Sequence, residues 1–366
     1  ENSENKLRKL EVYLKKMVAI YDANADELEN ITFISENKAT NSTGFIKIIS
    51  LACEQMDIQY EIVITSDRTK MPFEPDYESY NFLQDYLIYF PEIDMYLDPS
   101  DAFGALGIVS TNSTDQYGAF YQQVKLGEFS SGISQIKFIK GLSAEKSHHD
   151  MIMDVSVSDD FTNLNVHLSI IATGYFAAVT QPFYDILEPE EISDFNDEQV
   201  KWITDDMEID LVDAKNKGFE NLGVKPFVIE SDYTTSDFIV KARDKYLFKI
   251  GLLIGPQSEM YQEQKRTLPG DMGYRKFYHR EIVFTVPEDY KISNPEDLNL
   301  QVEAKDNEGT YAEFTSSYTL EGNKLKVVVD EYYTKVHFPV EEFEDYRAVI
   351  NSAADFNKIV LFLEKK

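Results

Sequence analysis

The sequence has one cysteine, one tryptophan and few basic residues, and these scarcities exclude whole classes of protein. A single thiol, Cys53, excludes an internal disulfide and a metal site built from several cysteines. The 65 acidic residues outnumber the 35 basic ones and give a formal net charge of -30, which argues against a nucleic-acid partner. The acidic residues are spread along the chain, as on a solubilising surface.

Long apolar runs are also absent, so the sequence has no segment of the roughly 18 consecutive apolar residues that a transmembrane helix needs. A hydrophobic content of 43% over 366 residues allows a sizeable core and predicts two or three domains. The sequence has no calcium-binding loop or other cofactor motif, so we expect neither a metal nor a cofactor. Because residue 1 is Glu, we expect a processed or trimmed form.

The first domain is predicted as helices followed by a sheet. Apolar residues recur every three or four positions over 6–21 and predict an amphipathic helix. A second helix is predicted over 41–57, with Ser42 or Thr43 as its N-cap. A hairpin is predicted over 83–98, where aromatic and β-branched residues flank a turn.

The later residues are predicted to be mostly β-structure. We place the end of the first domain at residue 132, because 100–132 is rich in Gly, Ser, Thr and Asn and predicts a long excursion between domains. A mostly β domain with a helical insert is predicted over 133–270. An antiparallel β-sandwich region with a late helix is predicted over 271–366. The predicted fold class of the whole chain is α+β.

The start of the second helix and the hairpin together resemble the core of the transglutaminase-like family, part of the papain-like superfold. In that family a Cys opens the helix, a His lies on the first hairpin strand and an Asp ends the second. Here the matching positions hold Ser42, Gln84 or Asp85, and Asp98, which lies in a Leu-Asp-Pro motif. The resemblance therefore implies a degenerate core without its thiol and imidazole.

The C-terminal part resembles the β-domain that accompanies such modules in envelope proteins of Gram-negative bacteria. This resemblance rests on five short segments, at 266–273, 286–290, 322–325, 338–343 and 359–361. Together the two resemblances cover most of the chain. They imply a bacterial periplasmic, envelope-associated or secreted protein of unknown role, whose core is structural or binds a peptide, a glycan or another protein.

The residues at the matching positions favour a protein without catalytic activity. Ser42 is interpreted as a helix cap, because a serine nucleophile needs a stronger base than a carboxylate. Cys53 lies well inside the second helix, where an apolar environment keeps a thiol inert. The enzymatic alternative is a hydrolase or acyltransferase that uses either Ser42 or a close carboxylate pair formed by Asp85 and Asp98 on one face of the hairpin.

Three further features have both a functional and a structural interpretation. His148, His149 and Asp150 suggest metal ligands, but neighbouring strand residues point to opposite faces, so we interpret them as the start of a linker. Trp202 lies on an amphipathic helical segment, which predicts core or interface packing. The 23 Tyr and 24 Phe residues keep a carbohydrate-binding module open as another alternative, although such residues more often fill sheet faces.

Overall fold

The computed structural model describes residues 2–77, 81–126, 129–261 and 263–366. Over these residues the fold is α+β, as the sequence predicts, with helices packed on several sheets. The chain divides into two compact units, where the sequence predicts three domains. Unit 1 comprises Glu1–Leu142, Ala178–Phe183 and Gly218–Val224, and unit 2 comprises Ser143–Ala177, Tyr184–Lys217 and Lys225–Lys366.

Unit 1 contains helices on a five-stranded sheet. Its helices are α1 (Ser3–Met17), α2 (Ile31–Asn37) and α3 (Ser42–Met56). Its strands are β1 (Ala19–Ile20), β2 (Ala39–Thr40), β3 (Glu61–Thr65), β4 (Asp85–Phe90), β5 (Met95–Leu97), β6 (Gln116–Leu126) and β7 (Phe129–Ile139). The short strands β1 and β2 pair with each other, and the larger sheet has the order β5-β4-β3-β6-β7.

The strand β4 separates two hydrophobic clusters in unit 1. Ile88 and Phe90 lie in a cluster with Phe45 of α3 and residues of α1, so the helices cover this face of the sheet. Leu87 lies in the other cluster, which contains Val63 and Phe120 of the neighbouring strands. Because successive strand residues point to opposite faces, alternate residues of β4 belong to different cores.

The predicted interdomain excursion over 100–132 is not a linker. It contains β6 and the start of β7, which form a long antiparallel hairpin; residues 127–128 of that prediction lie outside the described residues. The strands are rich in Gly, Ser and Gln, so their apolar alternation is weak in the sequence. At Gly118 a Cβ would lie 2.7 Å from Cδ1 of Ile139, so close packing explains the glycine.

The elements of the later chain are mostly strands, as predicted. The helices are α4 (Gly174–Ala178), α5 (Ile192–Lys201) and α6 (Phe343–Asn357). The strands are β8 (His148–Val157), β9 (Leu164–Ala172), β10 (Glu208–Lys215), β11 (Phe227–Thr235), β12 (Ile239–Ala242), β13 (Lys245–Phe248), β14 (Gly270–Asp271), β15 (Lys276–Thr285), β16 (Tyr290–Ile292), β17 (Leu300–Asp306), β18 (Gly309–Glu321), β19 (Lys324–Tyr333), β20 (His337–Phe338) and β21 (Leu361–Lys365).

An eight-stranded sheet with the order β10-β11-β9-β8-β15-β19-β18-β17 dominates unit 2. Its pairings are antiparallel except for β8 and β15, which run parallel, so the predicted all-antiparallel arrangement is wrong at this seam. This parallel β8–β15 pairing, called the seam below, joins strands from both sides of the predicted boundary at 270. One unit therefore replaces the two predicted domains. Helices α4 and α5 lie between β9 and β10, where the helical insert is predicted.

A second sheet of unit 2, with the order β12-β13-β21-β16, packs on the first. The ring centres of Phe248 on β13 and Phe284 on β15 are 4.4 Å apart, which places aromatic packing between the two sheets. Short 3₁₀ segments connect elements at Asp26–Glu29, Thr111–Ser113, Ala144–Lys146, Gln181–Asp185, Ile250–Ile254, Pro295–Leu298 and Val340–Glu342. Each described helix is too short or too polar to cross a bilayer.

Candidate functional site

The N-terminus of α3 is capped by Asn41, so the prediction of Ser42 or Thr43 as the cap is wrong. Oδ1 of Asn41 accepts a hydrogen bond from the Gly44 amide at 2.9 Å, and its Nδ2 donates to the Ala23 carbonyl at 3.0 Å. An Asn side chain fills this role as well as Ser does, and it leaves Ser42 as the first helical residue. Ser42 therefore has the position, although not the chemistry, of a helix-terminal nucleophile.

The first turn of α3 is tightly packed. Gly44 is buried, and a Cβ at this position would collide with the Leu28 carbonyl oxygen and with Oγ1 of Thr40. Oγ1 of Thr40 also donates to the Leu28 carbonyl at 3.1 Å, which fixes the neighbouring segment against the helix. Backbone and side chains from residues 28–40 thus occupy the space beside this turn.

Asp98 is a buried carboxylate that orders the turn after β5. Its Oδ1 accepts hydrogen bonds from the amide and the hydroxyl of Ser100 at 2.9 and 2.6 Å. Burial raises the pKa of Asp98 above its usual value, and the hydrogen bonds from Ser100 partly offset this effect. These contacts are those of a carboxylate that orders a turn.

Asp85 is the first residue of β4 and lies opposite Thr65 in the sheet. Burial raises its pKa, and the negative charges of Asp67 and Asp98 raise it further. Across the described residues, no three His, Cys, Asp or Glu side chains are grouped so that they could hold a metal ion.

Asp85 and helix α3 lie on opposite faces of the sheet. Helix α3 packs on the face that carries Ile88 and Phe90. By strand alternation Asp85 shares the opposite face with Leu87, and Asp98 follows β5 at the position across from Leu87. Asp85 therefore faces away from the helix that begins at Ser42, and Gln84, the other residue at the family's His position, precedes β4.

Neither a usable thiol nor an imidazole accompanies Ser42 in unit 1. Cys53 is fully buried in α3, and burial raises the pKa of its thiol to about 12, so a thiolate nucleophile is strongly disfavoured. The five histidines, all of them in the chain segments of unit 2, are His148, His149, His167, His279 and His337.

A cavity of about 370 Å³ lies in unit 2, at the parallel seam of the eight-stranded sheet. Alternate residues Lys276, Tyr278 and Arg280 of β15 line its floor, because side chains two positions apart on a strand share a face. Tyr278 lies opposite His149 of β8 and opposite Glu331 of β19, and both of these also line the cavity. The floor thus draws its polar groups from three adjacent strands.

Of the two cationic side chains in the cavity, one is paired with a carboxylate and the other is not. Arg280 donates from Nη1 to Glu331 at 2.7 Å in a pair whose side chains are each 5% exposed. The guanidinium also lies over the Tyr278 ring, 4.8 Å from its centre. Lys276 forms no ion pair with any carboxylate in the described part of the chain, and burial lowers its pKa while the charge of Glu331 opposes that shift.

Two residues that line this cavity each have a buried polar atom without a partner. Nε of Arg280 and the hydroxyl of Tyr333 have no hydrogen-bond partner among the residues that the structure describes. Burial raises the pKa of Tyr333 well above its usual value, so its hydroxyl remains a neutral donor. Most buried polar groups in proteins find a partner, so two unsatisfied donors in residues of one cavity single it out as a candidate site.

Aromatic rings form the walls of the cavity. The Phe176 ring lies 5.1 Å from Tyr278 and 5.5 Å from His149, and Trp202 lies 6.2 Å from His149. The Trp202 ring packs so closely on Gly255, where φ is +79°, that a Cβ there would collide with it. Trp202 is 42% exposed and borders the cavity, so of the predicted core or interface packing the structure excludes the core.

The sequence segment from His148 to Asp150 begins β8, so its interpretation as a linker is wrong. Nδ1 of His148 lies 3.0 Å from Asp150 on one face, whereas His149 points into the cavity on the other. Burial lowers the pKa of His149 to about 4, and the positive charge of Arg280 adds to this shift. His149 is therefore neutral near pH 7.

The cavity was missed at the sequence level, although β15 carries a signal. The alternation Lys-x-Tyr-x-Arg at 276–280 places two cations on one strand face, which is unusual for a face that packs on a core. Identifying the site also requires the partners from β8 and β19, and these depend on long-range strand pairing.

Comparisons with known proteins give limited further information. Residues 244–363 match the family model described as "Domain of Unknown Function with solved-structure structure", DUF3858. A crystal structure from Parabacteroides distasonis, described as a "putative protease", has a TM-score of 0.49 and 12% sequence identity to this chain. The match covers 99% of this chain and 52% of the other, so this chain spans about half the length of that protein. No curated protein matches significantly.

Proposed function

We propose that this chain is a non-catalytic module, in which a degenerate transglutaminase-like core is kept for structure or for binding a peptide or glycan. The observation that carries this proposal is the start of α3. Asn41 is used as the cap, and the space beside Gly44 is filled by residues 28–40. A nucleophile at this position needs room for a substrate and a nearby base.

The surroundings of Ser42 support the same proposal. A serine hydroxyl depends on a general base within hydrogen-bond reach. Asp85 lies on the sheet face opposite α3 by strand alternation, and Asp98 already accepts hydrogen bonds from Ser100. The chain's thiol, at Cys53, is buried in the middle of the helix.

Covalent labelling tests the proposal directly. We expect a fluorophosphonate probe and an acyl-donor peptide to leave Ser42 unmodified, with wild-type turnover equal to that of Ser42→Ala. Ser50→Ala is the matched control, since Ser50 is a partly buried serine on the same helix. Turnover that Ser42→Ala abolishes and Ser50→Ala preserves would overturn the proposal.

The carboxylate pair supplies a second candidate function, hydrolysis by an acid and a base. The observation that favours it is the raised pKa of both Asp85 and Asp98, to which the charge of Asp98 contributes at Asp85. Under this alternative, Asp85→Asn and Asp98→Asn would each abolish hydrolysis of glycoside or peptide substrates. Under the non-catalytic proposal, no hydrolysis is detected in the wild type or in either variant.

We extend the proposal to location: the chain belongs to a periplasmic, envelope-associated or secreted bacterial protein. This extension rests on the resemblance of its two parts to modules of such proteins. Fractionation of the native cells with an antibody against unit 2 tests it. We expect the signal in the periplasmic, membrane or culture-medium fraction, and a signal confined to the cytoplasm contradicts the extension.

A further inference from the structure

The cavity at the β8–β15 seam has an excess of positive charge within a strongly acidic chain. Its charged lining residues are Lys276, Arg280 and Glu331, and the carboxylate of Glu331 is already paired with Arg280. Lys276 lacks an acidic partner among the described residues. For a chain with a formal net charge of -30, this local excess of one cation is a specific feature.

The unsatisfied donors lie where this charge excess is found. Arg280 is 4% exposed, and its Nε is buried without a partner, as is the hydroxyl of Tyr333. Both groups can donate a hydrogen bond, and a guanidinium can only donate. An acceptor with negative charge satisfies the donors and balances the cation, whereas an apolar guest does neither.

The aromatic residues around the cavity indicate which uncharged group the ligand carries. Phe176, Trp202 and the neutral His149 surround the cavity with flat rings, and its volume of about 370 Å³ suits a small molecule. Aromatic rings favour stacked or edge-on contact with another ring. The excess of a single cation suits a monoanion better than a phosphate, which carries close to two charges near neutral pH.

We propose that this cavity binds a small organic carboxylate with an apolar ring, its carboxylate directed to Lys276 and Arg280 and its ring placed between Phe176 and Trp202. The site lies wholly in unit 2. It does not depend on the state of Ser42, so failure of one proposal leaves the other unaffected. The carboxylate comes either from a free acid or from the C-terminus of a peptide.

Trp202 gives a direct readout, because it is the only tryptophan of the chain and it borders the cavity. Phenylacetate is the probe for a free acid, and acetyl-Gly-Phe with a free carboxylate is the probe for a peptide terminus. Their neutral controls are phenylacetamide and acetyl-Gly-Phe amide. We expect a saturable change in Trp202 fluorescence with at least one acid and none with its amide at the same concentration.

Variants of Lys276 test the assigned contact. Lys276→Met removes the charge and should weaken binding by about tenfold or more, because a hydrogen bond to a charged group is involved. Lys276→Arg should retain most of the affinity. Lys324→Met removes the same charge from an exposed position on β19 and should leave affinity unchanged.

Each outcome of these binding experiments either supports or overturns the proposal. Binding of phenylacetate supports a free acid as the source, and binding of the peptide acid alone supports a chain terminus. The proposal is overturned if the amides bind as tightly as the acids, or if Lys276→Met binds as the wild type does. It is also overturned if neither fluorescence nor calorimetry detects either acid up to about 10 mM, a concentration that reaches even weak ligands.

Discussion

The start of α3 and the cavity at the β8–β15 seam differ in whether their buried polar groups have hydrogen-bond partners, a difference expected between a structural site and a binding site. At the start of α3 the polar groups are satisfied by their own chain: Asn41 caps Gly44 and contacts Ala23. In the cavity, Arg280 and Tyr333 keep buried polar atoms without partners. Satisfied groups next to filled space stabilise a fold, whereas unsatisfied groups next to empty space are available to a ligand.

The difference shows that family resemblance and physical suitability can point to separate places. Resemblance directs attention to Ser42, Asp85 and Asp98, of which Asp85 lies on the sheet face opposite the helix that Ser42 begins. Packing and charge direct attention to Lys276 and Arg280, for which the sequence resemblance assigns no role.

Loss of the buried ion pair should give the largest effect. Arg280→Met leaves Glu331 buried without a partner and should lower the free energy of unfolding by about 3–5 kcal/mol. The double variant with Glu331→Met should recover most of this loss. Lys326→Met breaks the more exposed pair with Glu281 and should cost below about 1 kcal/mol. Equal costs for the two single variants in urea unfolding would contradict the assigned burial.

Acid should destabilise the protein through His149. Burial lowers its folded pKa to about 4, below the ordinary value of 6.5, so the unfolded chain takes up the proton first as pH falls. The contribution of His149 to the free energy of unfolding is fully present above about pH 6.5 and is lost progressively as the pH falls towards 4. The total loss is about 3 kcal/mol at most.

Urea unfolding between pH 7 and pH 4 checks this effect of His149. The His149→Gln variant should show a flatter decline than the wild type, because it lacks the titrating imidazole. His167→Gln, at an exposed position, should follow the wild type. If the stability of His149→Gln falls with pH as steeply as that of the wild type, other groups cause the decline.

Filling the space beside α3 should be harmful. In an open helix, Gly→Ala stabilises by up to about 1 kcal/mol. At Gly44 the new methyl group collides with the Leu28 carbonyl and Thr40, so Gly44→Ala should destabilise by about 1–3 kcal/mol. The neighbouring exposed Thr43→Ala should stay within about 0.5 kcal/mol in thermal unfolding. A harmless Gly44→Ala would mean that the start of α3 has room for a ligand.

The helix cap provides the smallest effect. Asn41→Ala should cost about 1 kcal/mol, since the Gly44 amide loses its acceptor, and Asn41→Asp should retain most of the stability. Ser42→Ala should change stability by less than about 0.5 kcal/mol. A larger cost for Ser42→Ala than for Asn41→Ala in thermal unfolding would restore Ser42 as the cap.

Local features of the fold were predictable because they depend on neighbours in sequence. The helix predicted over 41–57 is α3, and the hairpin predicted over 83–98 contains β4 and β5. The predicted cap lies one or two residues too late, because Asn, Ser and Thr have similar capping propensities and stand side by side at 41–43.

Long-range features were not predictable from the same patterns. Register pairs His148 with Phe277, and no local signal in either strand specifies a parallel partner so distant in the chain. The predicted boundary at 270 therefore divided a continuous sheet. The cavity was missed for the same reason, since its floor needs β8, β15 and β19 side by side.

Amide hydrogen exchange with and without saturating phenylacetate, or acetyl-Gly-Phe if only the peptide acid binds, tests the central contrast in one measurement. The irregular segments at 202–206 and 255–258 lie beside Trp202 and Gly255, so their exchangeable amides report on the cavity. The account predicts slower exchange there on addition of the acid and no change at 41–46 or 98–101. Slower exchange at 41–46 or 98–101, with 255–258 unchanged, would contradict it.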